Sequence, residues 1–300
     1  RLGLISDSFA MVQAMLAPAS NFLNQCSAYT SETSQPVWSE LLYGLGYIQN
    51  LVYEQPYYEN FTQYCRSLLT EIRNEIGWDA KINDNHLNSL LRSQILLSSG
   101  QFEETEVLQK AKYELDNSLS TGHQIHADLR RPIYILAAKQ GDQDLYDILW
   151  KLHSTTNLQE EKVRLLSALT QFKNSSLITK TLNRALSNKV RTHETISVIV
   201  HSCRNQDGRQ LTWEFMKENW KELNRRYGEG GFGLMYMIQA LSGFTTQDAL
   251  NDVDRFFKIN PVPAADLTLS QTKETIENNI DWIKYNDSDL SEWSNGIRMT

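Results

Sequence analysis

Apolar residues recur every three to four positions along almost the whole chain, the spacing of one helical face. Ile5, Phe9, Val12 and Leu16 share such a face up to Pro18, and Val37, Leu41, Leu45, Ile48 and Val52 share another after Pro36. Phe61, Cys65, Leu68 and Ile72 form a stripe closed by Gly77, Leu87, Leu91 and Ile95 one closed by Gly100, and Val107, Ala111 and Leu115 one that runs to Gly122. Further stripes are Leu145, Ile148, Leu149 and Leu152; Val163, Leu166 and Leu169; Ile178, Leu182 and Ala185; Leu211, Phe215, Leu223 and Tyr227; Leu250, Val253 and Phe257; and Ile276, Ile280 and Ile283. Alternating strands bounded by turn dipeptides are missing. The pattern predicts about fourteen helices of roughly 10–20 residues joined by short connections, an all-α class. Phe9, Leu41, Leu91, Leu149, Leu166, Phe215 and Ile280 are the expected core.

Many short amphipathic helices bury one face each by pairing as antiparallel hairpins and stacking side by side. The expected architecture is a curved superhelical stack of antiparallel helix pairs. No strict repeat motif recurs, so the repeats are degenerate and closer to HEAT or armadillo units than to tetratricopeptide or ankyrin ones. The least helical stretches, Gly228–Gly233 and Ile259–Ala265 with Pro261 and Pro263, are too short for interdomain linkers. A single domain over residues 1–300 follows.

Composition narrows function mainly by exclusion. The 300 residues are 41% hydrophobic and 22% charged, within the globular range. Asp plus Glu number 36 against 29 Lys plus Arg, a net charge of −7, which is the wrong sign for a general nucleic-acid binder. No apolar run approaches the ~20 residues of a transmembrane helix. The sequence opens on Arg1-Leu2-Gly3-Leu4 without an initiator Met, and is expected to be a piece of a longer protein with any targeting segment upstream. Cys26, Cys65 and Cys203 are odd in number and form no CxxC pair; buried thiols are expected, with a Cys26–Cys65 disulfide open only in an oxidising compartment.

Candidate chemistry is sparse. His193-Glu194-Thr195-Ile196-Ser197 starts like HExxH but has Ser197 where the second ligand must stand, so Glu194 reads as an early acidic residue of a helix. His123 and His126, with Asp128 behind them, offer two weak metal ligands in a loop before a helix entered at Asp128. The loop Gly228-Glu229-Gly230-Gly231-Phe232-Gly233 follows a helix rather than a strand and lacks a Lys-Ser or Lys-Thr, so it reads as a helix cap and tight turn. Trp213, Trp220 and Tyr227 near Arg225 and Arg226 read as core flanked by arginine. Sequons stand at Asn60-Phe61-Thr62, Asn174-Ser175-Ser176 and Asn286-Asp287-Ser288, a number that chance supplies in a chain rich in Asn and Ser. No catalytic residue and no metal site is assigned to these 300 residues, and no cofactor is expected in them.

Several segments carry a family pattern. Gly77-Trp78-Asp79-Ala80-Lys81 followed by His86-Leu87-Asn88-Ser89-Leu90-Leu91-Arg92, Ala127–Tyr134, Gln159–Lys162, the Trp213–Trp220 helix with its W-x-F-x-x-x-N-W pattern, and Thr275–Trp282 resemble, in order, the C-terminal α-helical domain of the aminopeptidase N superfamily, most closely its puromycin-sensitive branch. The resemblance implies a HEAT-like domain that closes as a bowl over a thermolysin-like zinc domain lying elsewhere in the parent protein. GxMEN and HExxH, the motifs of that zinc domain, do not occur here. Secreted members carry a cysteine where this chain has Ile135, so the resemblance leans toward a cytoplasmic protein.

The resemblance also implies a function. A concave helical wall would limit access to the active-site chamber and select peptides, with the catalytic domain of the same chain and the peptide substrates as partners, and with neither nucleic acid nor membrane. In some peptide-trimming members arginines on this wall grip the substrate's C-terminal carboxylate. One such position matches Arg204 in Cys203-Arg204-Asn205, and its partner matches Gln171, which carries no charge. A guanidinium at a helix C-terminus is favoured by the helix dipole and offers two parallel hydrogen bonds to a carboxylate. The plainer reading is that Arg204 caps its helix or pairs locally. Arg92, Arg130 and Arg131 are weaker candidates, read as ion-pair partners between helices. The alternative for the whole chain is a free-standing HEAT-like scaffold that binds a protein partner without an enzymatic role.

Overall fold

The structure, a computed structural model, describes residues 1–82, 84–229 and 232–297. Among the described residues there are sixteen α-helices, three single 3-10 turns and no strand, so the all-α class holds with two helices more than the periodicity predicted. Two compact units can be distinguished. One comprises Arg1–Leu136 and the chain from Asp281 onward; the other comprises Ala137–Ile280.

The first unit holds α1 (Leu2–Gln13), α2 (Ala19–Cys26), α3 (Gln35–Val52), α4 (Tyr58–Ile76), α5 (His86–Gln101), α6 (Thr105–Thr121) and most of α7 (Ala127–Lys139). Its core gathers Ile5, Phe9, Phe22, Trp38, Leu41, Ile48, Phe61, Leu69 and Ile95, all buried. α1 stops at Gln13 rather than running to Pro18. Met15 takes φ +57°, and the amides of Leu16 and Met15 donate to the carbonyls of Met11 and Val12. These are the two bonds of a Schellman end. They carry Leu16 out of the helix, which is why it is 69% exposed rather than part of the stripe. Leu87, in the first turn of α5, is exposed as well. Gly44 is buried where an added Cβ would collide with the Phe22 ring, so its missing side chain lets α2 close on α3.

Arg92 on α5 is buried, donates from Nε and Nη2 to the carbonyl of Ile76, and pairs with Asp84. It therefore caps the C-terminal end of α4, where a cation meets the negative end of the helix dipole. The end of the last helix, α16 (Asp266–Ile297), belongs to this unit. There Asn286 Oδ1 accepts the amide of Ala19, and Asp289 accepts both the amide and the hydroxyl of Ser20. Two side chains from the far end of the sequence thus serve the free N–H groups of α2, whose own flanking residue, Pro18, caps nothing. The Trp282 indole donates to the carbonyl of Val12 at 3.0 Å.

The second unit holds α8 (Gln143–Thr155), α9 (Gln159–Leu169), α10 (Ser175–Ala185), α11 (Thr192–Arg204), α12 (Arg209–Glu218), α13 (Trp220–Tyr227), α14 (Phe232–Ala240), α15 (Gln247–Ile259) and the first half of α16. α11 is its centre and packs against α9, α10, α12 and α14. The stripe from Leu211 to Tyr227 predicted one helix and the structure has two. Asn219 breaks it: its side-chain amide donates back to the carbonyl of Phe215, and its own carbonyl takes the amides of Glu222 and Leu223 to begin α13. Trp213, Phe215, Met216, Trp220, Phe257 and Ile276 form the buried centre. Of the seven expected core residues six are buried, and Ile280 is only partly so. Ile148 and Val163, placed on buried stripes by periodicity, are exposed.

Candidate functional site

The turn between α9 and α10 is built from its polar atoms. Thr170 is fully buried, and its hydroxyl donates to the carbonyl of Ser167 at 2.7 Å. Asn174 closes the turn as the N-cap of α10, its Oδ1 accepting the amides of Ser176 and Leu177. Between them, the carbonyls of Thr170 and Phe172 both accept from one donor, the side-chain amide of Asn205, at 2.9 and 3.0 Å. Asn205 is the C-cap of α11, and its backbone amide bonds the carbonyl of His201.

This clamp brings the two expected carboxylate-binding residues to one place. Gln171 lies between the two clamped carbonyls, and Arg204 is the residue before the clamping Asn205. Arg204 is exposed in the last turn of α11 and has no ion-pair partner among the described residues. Gln171 is half-buried, and its amide donates to the hydroxyl of Thr170, back toward its own turn. An unpaired guanidinium stands at the end of α11 that Asn205 ties to this turn. Asn205 was not singled out from the sequence. Its signal was the recurrence of Ala168-Leu169-Thr170-Gln171-Phe172 as Ala240-Leu241-Ser242-Gly243-Phe244.

The other arginines have different roles. Arg92 is the helix cap already described, and Arg130 donates from Nε to the carbonyl of Ile125. Neither side chain is left to meet a ligand's charge as Arg204 is. Arg92 lies at a cavity of about 330 Å³ in the first unit, where Trp78 and Asp79, Ser89 on α5, and Asp128, Leu129 and Ile133 of α7 converge. Three of the family-like segments therefore meet at one depression.

The histidines fall where no metal geometry forms. His126 Nδ1 accepts the amide of Asp128 at 3.4 Å, with the Asp128 carboxylate 3.6 Å away, and both side chains are largely exposed. Among the described residues no three His, Cys, Asp or Glu side chains are placed to hold a metal ion. Glu194 is buried in the first turn of α11. It accepts the backbone amide of Arg191 and, at 2.6 Å, the side chain of Gln159. It is a helix-start residue, as its position implied.

The remaining motifs serve packing. Gly228 is the C-cap of α13 and Gly233 is buried against Ile196, while Gly230 and Gly231 of that loop lie outside the described residues. Trp213, Trp220 and Tyr227 are core: the Trp213 indole donates to Asp252, the Tyr227 hydroxyl donates to the carbonyl of Thr192, and Arg225 and Arg226 both pair with Glu222. All three cysteines are free and buried, and burial pushes the Cys203 thiol up to about 12, which leaves it inert as a nucleophile. No helix among the described residues is long and apolar enough to cross a membrane.

The family model described as the ERAP1-like C-terminal domain matches residues 1–278. Curated relatives match nearly the whole of this chain. The chain is 28% identical to a glutamyl aminopeptidase of Bitis rhinoceros over 302 residues, covering 98% of this chain and 31% of the relative. It is 25% identical to aminopeptidase M1 of Arabidopsis thaliana over 292 residues, covering 95% of this chain and 33% of the relative. It is 27% identical to the thyrotropin-releasing hormone-degrading ectoenzyme of Rattus norvegicus over 303 residues, covering 98% of this chain and 28% of the relative. The chain thus spans about a third of the length of the relatives it matches. By this match over most of its length, the chain belongs to the ERAP1-like C-terminal domain family.

Proposed function

We propose that these 300 residues are the C-terminal, non-catalytic domain of a zinc aminopeptidase, and that the domain helps to enclose and select its peptide substrates. One observation carries the reading: relatives named as aminopeptidases align with 95–98% of the chain while using only about a third of their own length. The zinc of such a parent does not fit the residues here, since Ser197 stands where a second histidine would be needed and no ligand triad is formed among the described residues. It belongs with the catalytic domain, the partner this domain would meet within one protein.

Residues 1–300 then act as one HEAT-like domain. The support lies in the second unit, where short helices follow one another through turns clamped by asparagine. Arg204 and Gln171 hold the far end of a peptide, Arg204 by charge-assisted bonds to its terminal carboxylate and Gln171 by a neutral bond. A cytoplasmic setting goes with this reading through Ile135, buried in α7 where secreted members of the resembling family have a cysteine.

The test uses the intact enzyme. Arg204→Ala should raise KM for free-acid peptides and spare peptides amidated at the C-terminus. The expected loss is about 1–3 kcal/mol, the worth of a charge-assisted bond. Equal effects on both peptide classes would make Arg204 a structural residue.

A further inference from the structure

Three Asn-x-Ser/Thr sequons stand in this chain, and an acceptor of N-linked sugar belongs on a surface where the oligosaccharide has room. The fold treats the three asparagines very differently. Asn60, in Asn60-Phe61-Thr62, lies on α4 at 6% exposure, with its side-chain nitrogen donating to the carbonyl of Ser294. Asn286, in Asn286-Asp287-Ser288, is fully buried on α16; its nitrogen donates to the carbonyl of Trp282 and its oxygen accepts the amide of Ala19. Asn174 alone is exposed, and its cap uses only Oδ1, which leaves Nδ2 toward solvent.

Glycosylation acts on Nδ2 of the unfolded chain, before burial can protect it. A sugar ring on Asn60 or Asn286 would have to stand where the asparagine side chain is already enclosed and bonded, in an interior packed to ordinary protein density. At Asn286 it would also disrupt the bond that starts α2, and with it the junction of α2 and α16. The same substituent on Asn174 would stand in solvent and leave the cap intact.

We infer that this protein folds out of reach of N-linked glycosylation, because transfer of an oligosaccharide to Asn60 or Asn286 is incompatible with the first unit. This deepens the cytoplasmic part of the proposed reading and rests on none of its peptide-binding claims. It also turns two chance sequons into a constraint: routed through a glycosylating compartment, the chain is modified where it must pack.

The experiment expresses the intact protein twice in one eukaryotic host, without and with a cleavable secretion signal. Readouts are glycan occupancy at each asparagine by mass spectrometry after endoglycosidase treatment, and resistance of the folded domain to limited proteolysis. The unsignalled protein should be unmodified and resistant. The signalled protein should carry sugar at Asn60 or Asn286 in its protease-sensitive, retained fraction. The double variant Thr62→Val, Ser288→Ala removes both buried sequons while keeping both asparagines; Val preserves the shape of Thr62 and Ser288 is exposed. Signalled, it should regain resistance and carry sugar at Asn174 alone. A signalled wild-type protein that folds as well as the unsignalled one overturns the inference, whatever its occupancy. So does a misfolded protein with Asn60 and Asn286 unmodified. Failure of the double variant to recover, when it folds normally without the signal, overturns it too. Peptide kinetics play no part, so this result and that of Arg204→Ala fail independently.

Discussion

Asn205 and Asn279 make the same clamp in two places. Asn205 gives its side-chain amide to the carbonyls of Thr170 and Phe172, and Asn279 gives its own to those of Ser242 and Phe244, at 2.8 and 2.9 Å. The clamped turns share the pattern Ala-Leu-Thr/Ser-x-Phe. Each holds a buried phenylalanine and leads to a capped helix, α10 capped by Asn174 and α15 by Thr246. One copy carries Gln171 in the turn and Arg204 before the asparagine; the other carries Gly243 and Asn278 at those places. The clamp is therefore a device of the fold, and Arg204 is what one copy adds to it.

Removing either clamp leaves two carbonyls without their donor. Asn205→Ala and Asn279→Ala should each destabilise the second unit by about 1–3 kcal/mol, the cost of carbonyls left without a donor at buried and partly buried sites. Urea midpoints of the purified protein measure this. The two should part in peptide kinetics: if the proposed site holds, only Asn205→Ala should also raise KM for free-acid peptides, because only Asn205 ties the Gln171 turn to the end of α11 that carries Arg204. Equal kinetic effects of the two variants would detach the clamp from the site.

His153 gives the second unit a pH dependence of known sign. It is buried on α8 against the Trp150 ring, and its Nε2 has no hydrogen-bond partner among the described residues. Burial pushes its pKa below the ordinary histidine value; Glu194 on α11 opposes the shift, while Lys162 on α9 and Arg191 reinforce it. The folded state thus resists a proton that the unfolded chain accepts at about pH 6.5. The stability His153 contributes is whole above that pH and is lost as the pH falls through it toward the folded-state value. Unfolding midpoints taken from about pH 8 to 5 should show this loss in the wild type, and His153→Gln should flatten that part of the curve.

Asp84 titrates far lower. The backbone amide of Lys81, the Arg92 guanidinium and the Asn88 side chain hold its carboxyl down at about 2. Its contribution is present above the unfolded carboxyl value of about 4 and disappears as the pH falls through the folded one. Asp84→Asn should remove this step from the acid limb of the stability curve. It should also destabilise the first unit at neutral pH, because the buried Arg92 then caps α4 without a counter-charge. An unchanged acid limb would mean that Arg92 needs only the carbonyl of Ile76.

The helices were legible because each one writes its buried face into its own sequence at period 3.6, and Leu41, Leu149 and Leu166 lie where that face predicts. The misses come from atoms that act across or against the period. Asn219 ends α12 through one side-chain bond to the carbonyl of Phe215, a choice that hydrophobic spacing does not record. Ile280 sits on the right stripe but is only partly covered, since a stripe fixes direction and not what packs upon it. For the site, the resemblance supplied Arg204 and Gln171. Asn205, which ties the turn of Gln171 to the helix end of Arg204, bonds carbonyls more than thirty positions away, and only the repeated turn pattern announced it.

In the proposed carboxylate site Gln171 is the uncharged position, and giving it a charge is the most direct test of that proposal. Gln171 is half-buried beside an exposed turn, so a longer side chain has an outlet to solvent at this place. Its backbone is fixed by Asn205 through the neighbouring carbonyls, and its side chain spends one bond on Thr170. Gln171→Arg gives up that bond and brings a second guanidinium to the clamp that carries Arg204. Repulsion between two cations at a partly exposed site is modest and screened by salt. A carboxylate between them gains a second charge-assisted partner, worth about 1–3 kcal/mol. In the intact enzyme, Gln171→Arg should lower KM for free-acid peptides by roughly five- to a hundredfold, with little change for amidated ones. Raising the salt concentration should erode the gain. Paired with Arg204→Ala, most of the benefit should vanish, because one guanidinium is again left alone. A gain that is equal for acid and amide, or that survives the loss of Arg204 in full, would place the carboxylate elsewhere.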